Sequence, residues 1–127
     1  MPDLSQARIG QIAIVCKDVG RATAFYRDVL GVRFLFAAGP QLSFFDIGGT
    51  RLMLSAAEGE ANGKSVLYFF VDDVDSVSGT LAERGASFVN APHVVAKMQD
   101  HDLWLAEFRD SEGNILALME ERRPNPV

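Results

Sequence analysis

The chain repeats itself, and the repeat limits what it can fold into. Sliding the sequence by 64 residues sets Phe44, Asp46, Gly49, Leu52 and Leu54 on Phe108, Asp110, Gly113, Leu116 and Leu118, five identities. Sliding it by 55 residues sets Asp18 and Val19 on Asp73 and Val74, and apolar Ile14, Ala22 and Tyr26 on Phe69, Val77 and Leu81. The offsets differ because the second half carries extra chain, mostly over 91–102. Two copies of one small supersecondary unit, in the same order about a central linker, are the expected architecture.

The local pattern of each half agrees. Residues 9–17 are rich in β-branched side chains with apolar groups on both alternation sets, a strand covered on both faces. Asp18 is an N-cap for a helix over 19–30, where Val19, Ala22, Tyr26, Val29 and Leu30 recur at helical spacing before Gly31. A strand over 32–38 follows, then a hairpin of 42–47 and 51–55 about Gly48-Gly49. The polar stretch 58–64 reads as a linker. The order then recurs: strand 65–72, N-cap Asp73, a helix over 74–84 weakened by Gly79, and strands near 87–90, 94–98, 103–109 and 115–119. Residues 120–127 carry two prolines and several charges and read as a loose tail.

Composition narrows the function classes. Seventeen acidic against 12 basic residues leave a net charge of −5, which argues against a general nucleic-acid binder. No apolar run approaches the ~20 residues of a membrane span, and residues 1–8 lack the basic and apolar regions of a secretory leader. The single Cys16 excludes an intramolecular disulfide and fits a reducing, cytoplasmic compartment. It lies on the alternation set opposite Gln11, under the first helix, where a thiol is inert.

Three stretches carry a family resemblance: Lys17-Asp18-Val19 running into Ala24-Phe25-Tyr26-Arg27-Asp28-Val29-Leu30-Gly31, then Val71-Asp72-Asp73-Val74-Asp75, and Phe108-Arg109-Asp110-Ser111-Glu112-Gly113-Asn114-Ile115. In them the chain resembles the vicinal oxygen chelate superfamily of glyoxalase I, bleomycin-resistance proteins, fosfomycin-resistance enzymes and extradiol dioxygenases. The resemblance implies an α+β fold of two βαβββ modules, about 8–57 and 64–120, forming a cupped mixed sheet with helices outside. Two such modules, within a chain or across a dimer, would close their open faces around a shared concavity. It also implies four metal-ligand positions, which fall here on Gln11, Met53, Val66 and Ala117. A divalent ion wants carboxylate oxygens or imidazole nitrogens. Two hydrocarbons, a thioether and a neutral amide do not supply them, so no metal and no cofactor are expected.

Other residues are candidates for a site. Glu107 alternates with Leu103 and Leu105 on what the resemblance makes the pocket wall. It reads either as an anchor for a cation or general base, or as half of a structural ion pair with Arg51, Arg33 or Arg109. Tyr68, Phe70 and Val66 share one face of their strand, with Ser43 and Phe45 assigned to the matching hairpin; they read as an aromatic ligand cavity or as core. His93 and His101 are acid–base candidates of a relocated site, or polar groups of a solvated turn. Trp104, on the other alternation set, is expected in the core under the second helix.

The sequence therefore predicts a small-molecule binding protein without a metal, able to sequester a cationic or aromatic ligand, and assembled as a homodimer. The alternative is a lyase, isomerase or dioxygenase with a displaced site, metal-dependent or acid–base. Nucleic acid and membrane are not expected partners.

Overall fold

The structure, a computed structural model, describes residues 9–56 and 66–124 together with Asp3, Ser5 and Gln6. The expected linker at 58–64 lies outside the described residues. The chain divides into two compact units, Met1–Asn62 and Gly63–Val127.

In the first unit, strand β1 (Gln11–Cys16) leads into helix α1 (Val19–Ala24), followed by β2 (Arg33–Ala37), β3 (Leu42–Ile47) and β4 (Thr50–Ala56). The sheet order is β1-β4-β3-β2, with β1 and β4 parallel. Asp18 is the N-cap: its backbone is extended and its Oδ1 accepts from Arg21 N at 2.9 Å. The predicted helix over 19–30 is α-helical only to Ala24, and Phe25–Val29 forms a π-helical turn in which Leu30 N donates to Phe25 O. Over five residues an apolar pattern cannot separate a 3.6-residue turn from a wider one. Gly48 and Gly49 both have positive φ, the conformation that a two-residue hairpin between right-twisted strands requires.

The second unit repeats the plan. Strand β5 (Leu67–Phe70) precedes helix α2 (Val74–Glu83), capped by Asp73 through Ser76 N at 3.1 Å. Then come β6 (Ser87–Phe88), β7 (His93–Lys97), β8 (Asp102–Arg109) and β9 (Ile115–Arg122). The order is β5-β9-β8-β6, and β7 also pairs with β8, so β6 and β7 share the place that β2 holds in the first unit. The outer strands β2 and β7 each contain a register shift, at Phe34/Phe36 and Val94/Ala96.

Register ties the units to the sequence repeat. Ala13 pairs with Met53 and Tyr68 with Ala117, so β1 maps on β5 by 55 and β4 on β9 by 64. The 64-residue offset fails for β3, however. Met53 faces Phe44 while Ala117 faces Glu107, which makes Glu107 the register equivalent of Phe44, and Phe108 that of Phe45. The turn between β8 and β9 is one residue longer in effect, and Asp110 knits it by accepting from Glu112 N and Asn114 N. The identities of Phe44 with Phe108 and Asp46 with Asp110 are thus out of register.

Each helix dries one sheet face. In the first unit Cys16, Val19, Ala22, Tyr26, Phe45, Leu52 and Leu54 are buried; in the second, Val74, Leu81, Ala106, Phe108, Leu116 and Leu118. Trp104 lies on the helix side of β8 but is only half-buried, with the Arg122 guanidinium 4.0 Å from its ring centroid. The tail expected at 120–127 is corrected: β9 runs on to Arg122. Glu120 is 7% exposed, accepts from Val74 N at 2.9 Å at the start of α2, and is bound by Arg122 at 2.8 Å. Alternating charged residues near prolines read as solvated, but this carboxylate faces the helix N-terminus, where orphan N–H groups favour an anion.

The Arg122 guanidinium, and then the bond from Val74 N, hold the Glu120 carboxyl below its usual range against the opposing effect of burial. The stability it contributes is therefore complete above the unfolded carboxyl pKa of about 4.3, and disappears as pH falls through the lower folded value. Glu120→Gln is expected to cost about 1–2 kcal/mol at pH 7. The gap to the unaltered protein should narrow in urea melts taken at progressively lower pH. Gly79 lies inside α2 with open space where a Cβ would stand, so Gly79→Ala should add about 0.5–1 kcal/mol in the same melts.

Candidate functional site

In the second unit, the sheet face away from α2 is an aromatic surface with one carboxylate. Cα partners on neighbouring strands share a face. One row across β5, β9 and β8 is therefore Tyr68, Ala117 and Glu107, and the next is Phe70, Met119 and Leu105, with His93 opposite Leu105 on β7. Tyr68 is 52% and Phe70 60% exposed, large values for apolar rings on a sheet. Val66 precedes β5 on the same alternation set and is half-buried, and Ala117 is fully buried.

Glu107 is held by an amide, not by a cation. Its Oε1 accepts from Asn90 Nδ2 at 3.0 Å, and its backbone N–H donates to Asn90 Oδ1 at 2.8 Å. Asn90 thus does what a neighbouring strand's backbone does elsewhere, in the gap between β6 and β7. Of the arginine partners expected from the sequence, Arg109 is engaged elsewhere, and Arg33 and Arg51 belong to the first unit. Arg109 donates to Gly113 O, Arg51 lies 5.5 Å from the Phe44 ring centroid in its own unit, and among the described residues of the second unit no basic side chain pairs with Glu107. Its carboxyl group lies beside the aromatic rows with Asn90 as its side-chain partner.

The corresponding face of the first unit carries Gln11, Met53 and Phe44. Gln11 Nε2 donates to Met53 Sδ at 3.9 Å, and Phe44 stacks on Phe36 with centroids 4.8 Å apart. Ser43 and Phe45, assigned to the ligand surface by sequence, are on the opposite face. Ser43 is 3% exposed and its hydroxyl lies 2.7 Å from that of Thr23 on α1. Phe45 is fully buried between Tyr26 and Phe34. The one-residue slip of β3 against the 64-residue offset is the physical reason, since a shift of one exchanges the faces of a strand. Phe44 and Phe36 are the open-face aromatics that sequence reasoning missed; the pattern of β3 held the signal for Phe44, whereas Phe36 needs the bulge in β2.

A family model described as "Glyoxalase/Bleomycin resistance protein/Dioxygenase superfamily" matches residues 8–118. The chain belongs to this superfamily. Its fold is shared with the lactoylglutathione lyase from Agrobacterium tumefaciens, which is 25% identical, with a TM-score of 0.74 over 90% of this chain and 93% of that one. A superfamily enzyme from Burkholderia phytofirmans PsJN has the same TM-score at 21% identity, over 91% and 99%. The Bacillus subtilis (strain 168) protein YraH, described as uncharacterized, is 29% identical over 126 residues, covering 85% of this chain and 94% of its own.

The metal of the superfamily's enzymes does not fit the donors this member offers. At the four corresponding positions stand the Gln11 amide, whose N–H is turned to sulfur, the Met53 thioether, and the hydrocarbons of Val66 and Ala117. None is an anionic oxygen or an imidazole. Elsewhere among the described residues, no group of three or more His, Cys, Asp or Glu side chains is placed to hold a metal ion. The histidines do not complete a site with Glu107. His93 is exposed, one row away, with Nδ1 2.8 Å from Ala91 O. His101 stands just before β8, six residues from Glu107, about 20 Å at the usual strand rise.

Asn90→Ala removes both partners of Glu107 and leaves its half-buried backbone N–H unpaired. It is expected to lower stability by about 1–3 kcal/mol, read as a urea midpoint shift at unchanged slope.

Proposed function

We propose that this superfamily member is a metal-free small-molecule binding protein, whose ligand is a cationic aromatic or amphipathic compound lying on the β5-β9-β8 face. The observation that carries the reading is the Glu107 carboxylate, oriented by Asn90 and unmatched by a basic group among the described residues of its own unit, in the row of exposed Tyr68. An anion fixed beside exposed rings provides two attractions for an organic cation: charge at one end and ring faces along its length. The net charge of −5 favours the same sign of ligand at long range. Phe70, Met119 and Leu105 supply apolar area in the next row. The exposed apolar face also favours association into a homodimer.

No helix of the described residues is long and apolar enough to cross a membrane. A cytoplasmic setting is part of the same proposal.

A second reading, an acid–base enzyme with a displaced site, has one observation in its favour. His101 forms a 2.7 Å contact with Asp100 that would orient an imidazole base.

A thermal-shift screen of organic cations against their neutral isosteres separates the readings. A cation present at about 100 times its Kd should stabilise the protein by about 2.7 kcal/mol. Glu107→Gln should weaken it by about tenfold or more while leaving the neutral compounds unaffected. Equal stabilisation by cations and isosteres, or indifference to Glu107→Gln, would sink the binding proposal. Turnover that survives Glu107→Gln but not His101→Gln would favour the enzyme.

A further inference from the structure

The sheet face away from α1 in the first unit carries a basic row beside an aromatic one. Cα partners on neighbouring strands set Arg51, Asp46 and Arg33 side by side across β4, β3 and β2, and Met53, Phe44 and Phe36 in the next row. The register shift in β2 is what turns Phe36, rather than Leu35, to this face, where it is 46% exposed. Its ring stacks on Phe44 with centroids 4.8 Å apart, and the Arg51 guanidinium carbon lies 5.5 Å from the Phe44 centroid.

The two arginines have charge to spare. Both are exposed, and among the described residues neither guanidinium forms a hydrogen bond or an ion pair. Arg27, Arg122 and Arg123, by contrast, each hold a carboxylate. A guanidinium stays protonated at any pH the protein meets. Asp46 stands between Arg33 and Arg51 and forms an ion pair with neither; even when ionised, one carboxylate between two guanidiniums leaves the row with positive charge in excess. A guanidinium is also suited to a place beside rings. It is planar and weakly hydrated, so it lies against an aromatic face while its N–H fork donates two parallel bonds to a carboxylate.

We infer that this face of the first unit is a binding site for a small aromatic carboxylate. The carboxylate accepts from the arginine row, and the ring lies against the exposed Phe36 of the stacked pair. On an open surface an ion pair alone contributes little, and so does a single ring contact. A compound that carries both groups makes the two contacts for one loss of translational freedom, which is what selects it. The overall charge of −5 opposes anions at long range, but charges farther off than about 8 Å are screened at physiological salt, and the adjacent row decides. The site lies in the other unit from the face proposed for a cation, and neither reading depends on the other.

The test is a titration of the ¹⁵N-labelled full chain with sodium benzoate at about 0.15 M constant ionic strength. Benzamide, which keeps the ring without the charge, and acetate, which keeps the charge without the ring, are the controls. Saturable amide shifts are expected for benzoate over 33–36, 44–46 and 51–53, with each control weaker by about tenfold or more. The double change Arg33→Gln and Arg51→Gln, at exposed positions that the core does not use, should lower benzoate affinity about tenfold. Phe36→Ala should bring benzoate down to the level of acetate. Benzamide or acetate binding as well as benzoate, no saturation, or indifference to the double arginine change would overturn the proposal. So would benzoate shifts centred on residues of the second unit.

Discussion

One short helix can dry only one face of a sheet, and this asymmetry sorts the chemistry of both units. On the helix side stand the buried residues, Phe45, Leu52 and Leu54 in one unit and Phe108, Leu116 and Leu118 in the other. On the far side the strands carry Phe44, Met53, Tyr68, Phe70 and Glu107, groups that a core either excludes or would use differently. The helix in turn depends on its N-terminus. In the second unit Glu120 reaches from β9 to the first turn of α2, so the strand that runs through the open face also anchors the helix that covers the other one.

Fold and candidate site meet again at Asn90. A regular outer strand would give Glu107 a backbone carbonyl for its N–H and nothing for its carboxylate. By interrupting that strand between β6 and β7, the chain substitutes a side-chain amide that serves both. The carboxylate is thereby oriented without being neutralised, as an arginine would have done. A group poised in this way would lose little freedom to a ligand of the kind proposed, which is the physical meaning of preorganisation.

Much of the fold was legible in the residues. Asp18 and Asp73 announced both helices, Gly48-Gly49 the hairpin, and the paired offsets the duplication, because each rests on short-range chemistry that the sequence spells out. The candidate surface was legible only in part. Tyr68, Phe70 and Glu107 alternate on the face expected for them, whereas Ser43 and Phe45 were misassigned by identities that are one residue out of register. Asn90 and Glu120 were beyond reach for a different reason. Their partners lie 17 and 46 residues away, and a polar side chain satisfied by a distant backbone group looks like a surface residue until the chain is folded.

The irregular outer strands have a consequence for how the protein behaves in a crowded solution. A flat, continuous sheet border offers a ladder of free N–H and C=O groups on which further chains can stack into fibrils. Here β2 and β7 each lose register midway, and β6 is only two residues long. A foreign strand approaching along β2 or β7 finds its hydrogen bonds out of step after two or three residues, so at these two borders the kinks work against aggregation of a molecule that leaves aromatic rings uncovered.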